Sequence, residues 1–456
     1  LAEDPDVAYI TPDRPVTAAF DQITDQTVHS DLLNMMGQSG SGVGIAVIDS
    51  GIYDLPDFHN GWNTRIVYQQ SFIGGSATDQ YGHGTHVAGI LVGNGAGTVY
   101  DGVATQANLI NLRVLDQNGM GTDAGVIAAI QTAISLKDKY NIRVINLSLG
   151  RPVYEPAAQD PLCQAVEAAW KAGIVVVVAA GNGGRDNSAN TQGYATIAAP
   201  GNDPYVITVG CVKSNGTGYR GDDRIASYSS KGPTLFDHYA KPDLVAPGNQ
   251  IVSTLPPGLT LSNLYPQNRV MGNYFTLSGT SMATPVVAGA AALLIQRNDD
   301  ATPDQIKAAL MISATKNFPA SSAAVDPVTG TAYTSYYDIF TVGAGELDIL
   351  GAEFFTNAPA GVASSPYVTY NSATGLVTLQ GVSGSNVVWG TNVVWGANVV
   401  WGASVLLANN VVWGTNVVWG ASSLQGFNVV WGTNVVWGAS ATMQSETNLL
   451  TIYGEQ

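Results

Sequence analysis

Apolar runs of strand length punctuate the first three quarters of the chain. Val43 to Ile48, Val144 to Leu149, Ile174 to Ala180 and Tyr205 to Val209 are close to continuously apolar, the pattern of strands covered on both faces. Helix-like stretches such as Asp123 to Leu136, Pro161 to Ala172 and Pro303 to Ala314 alternate with them. Strand and helix in alternation predict an α/β fold, a mostly parallel sheet with helices on both faces. Thr302 followed by Pro303 and Gln305 reads as a helix start, with Thr302 as N-cap and Pro303 at the first helical position. Pro285 fits a long small-residue helix only early in it, where a missing N–H costs little. The last element of this block is Tyr337 to Ala352.

The pattern then changes character. From Phe354 to Ser445 there is no Asp, Glu, Lys or Arg, so a domain boundary is expected near residue 356. From Asn386 the chain repeats every six residues, as NVVWGT or NVVWGA, and seven of the nine tryptophans lie here. Imperfect hexads open at Ser404, Ser422 and Ser440, which overlays a period of 18 on the period of six. Six is even, so in a strand Val387 and Trp389 keep one face and Val388 the other from copy to copy, whereas a helix would smear Trp around its circumference. Gly and Asn at the joints suit tight corners. A C-terminal all-β repeat domain is expected over 356–456, with hexads at 386–445, and a three-sided β-solenoid is favoured over a stack of short hairpins.

Composition narrows the function. The 456 residues carry 18 Lys+Arg against 34 Asp+Glu, a net charge of −16, which argues against nucleic-acid and anionic-membrane partners. Only 11% of residues are charged while 45% are hydrophobic and 52 are Gly, too apolar for disorder and too Gly-rich for a helical bundle. Cys163 and Cys211 make neither a disulfide framework nor a metal spacing. No apolar run reaches the ~18 residues of a membrane span. The sequence opens at Leu1 without a signal core, so any targeting segment is expected to have been removed or left out.

Four positions carry chemistry. Asp49 ends a buried strand, where open α/β sheets place their sites, although alone it would read as a turn cap. His83 lies in HGTHVAG at the head of an apolar helix, and the second histidine, His86, turns into that helix as a structural residue. Ser281 lies in GTSMATP, a turn opening onto a helix whose N-terminal dipole favours a developing oxyanion; an ordinary N-cap is the bland alternative. Asn182 closes VVVVAAGN, where its amide could donate to that oxyanion, though Asn beside Gly is more often turn chemistry. Together they offer a nucleophile, a base, an orienting carboxylate and a neutral donor in the chain order Asp, His, Ser.

DSG at 49–51, HGTHVAG at 83–89, NLSLG at 146–150, AAGN at 179–182, KPDLVAPG at 241–248 and GTSMATP at 279–285 resemble the signatures of subtilisin-like serine proteases, over roughly residues 30–355. The resemblance implies a subtilisin-like catalytic domain over 17–355, with Ser281 as nucleophile, His83 as base and then acid, and Asp49 orienting the imidazole. It implies an oxyanion hole of Asn182 and the Ser281 N–H. Ser148, Leu149 and Gly150 would lie beside the substrate backbone, and Ala180 with Gly181 would wall a roomy first specificity pocket. No cofactor is required by this chemistry. Asp57 matches a family calcium-ligand position, but the loop after HGTHVAG is short for that site and no metal is assigned. Val286 stands where many relatives carry His, a matter of packing. LAEDPDVAYITPDRPV at 1–16 resembles the last strand of the family's inhibitory propeptide, and is expected to be a remnant of that partner that either stays attached or was left by processing at an unusual site.

The expected function is thus a secreted serine endopeptidase of broad specificity acting on polypeptides. The alternative is a structural or adhesive protein whose protease domain mainly processes itself, since exposed strands without gatekeeper charges pair edge to edge. The bland reading of the tail is a stability module packed on its own catalytic domain, with surface anchoring and self-assembly as the competing readings.

Overall fold

A computed structural model of the chain describes residues 22–188, 191–326, 329–354, 361–371, 376–381, 450 and 452–455. The propeptide-like segment 1–16 and the hexads at 386–445, with the solenoid expected there, lie outside the described residues.

The frame is an eight-stranded sheet. Its strands in chain order are β1 (Gly44–Asp49), β2 (Ile66–Ser71), β3 (Asn108–Arg113), β4 (Ile142–Leu147), β5 (Val175–Ala179), β6 (Ile207–Lys213), β7 (Arg224–Ile225) and β8 (Leu244–Pro247). They lie in the spatial order β8-β6-β5-β4-β1-β3-β2, all parallel, with β7 antiparallel on β6. β1, β5 and β8 are buried throughout, which is why their sequences show no polar alternation. The chain builds outward from β1 to one side through β3 and β2, then crosses to the other through β4, β5 and β6. The carboxyl end of β1 is therefore the topological switch point, where open α/β sheets leave a crevice.

Helices cover the sheet: α1 (His83–Val92), α2 (Asp123–Tyr140), α3 (Pro161–Lys171), α4 (Thr280–Arg297) and α5 (Pro303–Ser313). α1 and α4 are almost wholly buried, as their small-residue sequences require. α5 starts where expected, with Thr302 as N-cap, and the start is closed as a capping box in which Thr302 and Gln305 each accept from the other's backbone N–H. A small antiparallel sheet of β9 (Ile251–Thr254), β10 (Arg269–Met271) and β11 (Tyr274–Leu277) feeds directly into α4. Two hairpins follow, β12 (Ser321–Val325) with β13 (Ala332–Tyr336), and β14 (Tyr367–Asn371) with β15 (Leu376–Gln380). Val368 and Leu379 of the second hairpin join the main apolar core. Among the described residues no helix is long and apolar enough to cross a membrane.

Candidate active site

Asp49 ends β1 at the switch point and is fully buried. Its Oδ1 accepts from the Ser50 N–H at 2.7 Å and from His83 Nδ1 at 2.8 Å. His83 opens α1, and the strand and helix are stitched by the Gly84 N–H donating to Ser50 Oγ at 2.9 Å.

Behind this pair sits a residue that the sequence reading missed. Asp79 is buried and accepts from Ser50 Oγ, Tyr81 N–H and Gly82 N–H on Oδ1, each at 2.9 Å, and from Thr85 N–H at 3.0 Å and Thr85 Oγ1 at 2.6 Å on Oδ2. It ties the turn before His83 to the first turn of α1, satisfying N–H groups that a helix start leaves without intrahelical partners. The available signal was a carboxylate four residues ahead of a helix-start histidine.

Burial works against the imidazolium of His83, but the charge of Asp49, its hydrogen bond and the charge of Asp79 outweigh it, so the His83 pKa lies above its ordinary value. His86 is the opposite case. It is buried with Nε2 on the Phe275 carbonyl at 2.9 Å, and burial takes its pKa down to about 3, so it stays neutral and structural.

Ser281 is the second residue of α4, after Gly279 at φ 143°. Two reciprocal bonds join it to the end of β4: Ser281 Oγ donates to the Ser148 carbonyl at 3.0 Å, and Ser148 Oγ donates to the Ser281 carbonyl at 2.8 Å. Pro285 explains the second. It lies in the second turn of α4 and not the first, and the N–H it lacks is the one that would have met the Ser281 carbonyl. Asn146 Nδ2 in turn donates to Ser148 Oγ at 3.0 Å.

Asn182 is oriented by Thr280, whose N–H and Oγ1 both donate to Asn182 Oδ1, at 3.0 and 3.1 Å. With the amide oxygen so engaged, the Nδ2 donor is turned away from Thr280. The Gly181 N–H donates to Thr280 Oγ1 at 3.2 Å. Leu149 and Gly150 continue outward from Ser148, and Arg151 pairs with Ala199 through N–H···O bonds of 3.0 and 2.8 Å. The buried Ala180 accepts from the Ala198 N–H at 2.9 Å.

The structure therefore gathers Ser148, Gly181, Asn182 and Ser281 in one group and Asp49 with His83 in another, at the carboxyl ends of the adjacent strands β5, β4 and β1. The Ser281 hydroxyl is bonded to Ser148 and not to His83. Elsewhere, buried Asp57 accepts from the Tyr274 hydroxyl. Among the described residues no three His, Cys, Asp or Glu side chains gather as a metal would need.

Comparison with known proteins places this constellation in context. A model described as "Subtilase family" matches residues 40–330. "Serine protease AprX" of Bacillus subtilis (strain 168) is 41% identical over 318 residues, 67% of this chain and 69% of that protein. "Extracellular serine proteinase" of Thermus sp. (strain Rt41A) is 38% identical over 338 residues, covering 72% and 70%. Subtilisin E of Bacillus subtilis (strain 168) is 38% identical over 325 residues, covering 69% and 72%. A solved cold-adapted subtilisin-like serine proteinase is 30% identical with a TM-score of 0.46, over 67% of this chain and 90% of that one.

Proposed function

Because the chain belongs to the subtilase family of serine endopeptidases, we propose that it hydrolyses peptide bonds through Ser281, His83 and Asp49 by way of an acyl-enzyme. The observation that carries the reading is the 2.8 Å bond from His83 Nδ1 to a carboxylate wholly out of water, which leaves Nε2 with the lone pair a base needs. In this reading the Ser281 hydroxyl leaves the Ser148 carbonyl and donates to Nε2. The oxygen then bonds to the scissile carbon as its proton passes to His83, and the charge on the carbonyl oxygen meets Asn182 Nδ2 and the Ser281 N–H. Breaking the C–N bond returns that proton to the departing amine. Water repeats the sequence on the ester.

Ser148, Leu149 and Gly150 would run beside the substrate backbone. Ala180 and Gly181 would wall the first pocket with little side-chain bulk, which supports broad specificity. Secretion is supported by the extracellular name of the Thermus relative. We propose the division into 1–16, 17–355 and 356–456, with the first piece as propeptide remnant and the last as a repeat module. The charge-free, Trp-rich repeat supports a second reading, a structural or adhesive protein whose protease only processes itself.

Casein turnover by the full chain separates the two. It should fall by on the order of 10⁶-fold in Ser281→Ala, a size taken from subtilisin and not worked from this geometry. Cleavage confined to one event per chain would favour the structural reading. Undiminished turnover in Ser281→Ala would remove the triad.

A further inference from the structure

Residues 450 and 452–455 return to the catalytic domain after the repeats in sequence, and the way they are held has the marks of a built recognition site. Glu455 is 6% exposed. Its carboxylate takes Lys213 Nζ at 3.3 Å on one oxygen, and on the other Arg185 Nη2 at 3.4 Å, the Ser227 N–H at 2.8 Å and the Ser227 hydroxyl. Two cations and two hydrogen-bond donors converge on one side chain in a protein whose net charge is −16. Arg185 is itself fixed, its Nε on Ser227 Oγ at 2.7 Å and its Cζ over the Tyr333 ring, 4.5 Å from the centroid.

The main chain is read as well. Asn249 uses both ends of its amide, donating to the Glu455 carbonyl at 3.0 Å and accepting from the Glu455 N–H at 2.8 Å. Gly454 has φ 77°, and a Cβ there would lie 2.4 Å from Gln250 Cγ and 2.8 Å from Ser278 Oγ. Tyr453 sets its ring edge-on to Tyr265 at 6.1 Å, and its hydroxyl accepts from Gln267 Nε2 at 2.6 Å. Asn268 Nδ2 donates to the Ile452 carbonyl. The Ile452 side chain is buried in the main apolar core, so each of four consecutive residues is distinguished by the face it meets. That face includes Ser278, three residues ahead of Ser281.

We propose that this face is a peptide-docking site, selective for a segment of the form aliphatic-Tyr-Gly-Glu that enters as a helical turn, closed by the Gly454 N–H on the Leu450 carbonyl at 2.8 Å, and that residues 450 and 452–455 occupy it in cis. β15 is held in the core through Leu379 on one side of the repeats, and Glu455 is held on the other. The chain is therefore anchored on the catalytic domain both before and after the hexads in sequence, and in this proposal the second anchor is a reversible one that a free peptide of the same sequence, as from a second copy, can replace. A segment tethered in cis competes at high effective concentration, so an outside peptide gains access once the cis segment is displaced. The inference does not depend on the hydrolytic chemistry.

The test uses the full chain in the Ser281→Ala background, so that no peptide is cut. Gly454→Val blocks docking by bulk, and Glu455→Lys blocks it by charge. A labelled peptide of residues 446–456 should then bind either variant saturably by fluorescence anisotropy, and bind the chain with its own segment in place at least tenfold more weakly. A peptide carrying Glu455→Gln should lose at least tenfold in affinity for the opened chains. Equal binding to opened and unopened chains, equal binding of the two peptides, or no binding to either folded variant would overturn the proposal.

Discussion

Gly84→Ala should separate catalytic geometry from folding. Gly84 follows His83 at the point where α1 meets β1, and a Cβ there would lie 2.3 Å from the Gly51 carbonyl oxygen and 3.1 Å from Asp49 Cβ. Both obstacles belong to a buried strand end, so neither can swing aside. Reaching ordinary contact requires α1 to recede from β1 by about 1 Å, which also draws His83 off Asp49; a misplacement of that size costs ~10²-fold in kcat. In free energy this is about 2.7 kcal/mol on the barrier. Overpacking adds a stability loss of roughly 1–3 kcal/mol. The assay is saturating hydrolysis of a chromogenic peptide, normalised by active-site titration, with a thermal melt alongside. Gly125→Ala in the first turn of α2 is the control, because its Cβ meets only Thr122 Oγ1, at 3.5 Å; it should leave kcat unchanged. A folded Gly84→Ala enzyme with parental kcat would refute the reasoning.

Two further outcomes concern buried charge. His83 must be neutral to act as base, so kcat/KM should fall as pH drops through its raised pKa; Asp79→Asn removes one of the charges that raise it, and the acid limb of the pH profile should move to lower pH. A limb that stays in place or moves the other way counts against a coupling between Asp79 and His83. Glu346 and Asp223 bury their carboxyl groups against each other, and burial, together with the hydrogen bond to Asp223 and its charge, drives the Glu346 pKa well above its ordinary value. A carboxyl raised in the folded state contributes most below the unfolded pKa and loses that contribution as pH climbs to the folded one. Glu346→Gln should therefore raise the melting temperature at pH 8, by the equivalent of roughly 1–3 kcal/mol, and change it little at pH 4. An equal effect at the two pH values would show that the carboxyl does not titrate between them.

What was legible in the sequence was what local burial dictates. The run Ile174 to Ala180 became β5 at Val175–Ala179, and Asp123 to Leu136 became α2 at Asp123–Tyr140, extended by a turn. β3 escaped notice for a physical reason. Asn111 and Arg113 interrupt its apolar pattern, yet both stay inside, because their side chains donate to the loop carbonyls of Ala77 and Ser76 at 3.0 and 2.8 Å. Polar residues that serve a neighbouring loop mimic the break of a strand. Pro285 was legible as an early helix residue, but nothing local announces that Ser148, far back in the chain, takes over the carbonyl it leaves.

The same distinction separates the site from its supports. Asp49, His83, Asn182 and Ser281 each stand at a strand end or helix start, and those boundaries are written in short, contiguous patterns. The parallel order β5-β4-β1 then brings the strand ends side by side whatever their distance along the chain. Asp79 and Glu455 act through partners instead. Asp79 is intelligible only once the Ser50 hydroxyl and the α1 N–H groups converge on it, and Glu455 only once Ser227 and Arg185 do, from more than two hundred residues away. A reactive group can thus be read from its position on an element, whereas the groups that hold it must be read from the packing of several, and it is in that second class that substitutions remote from the chemistry should still reach it.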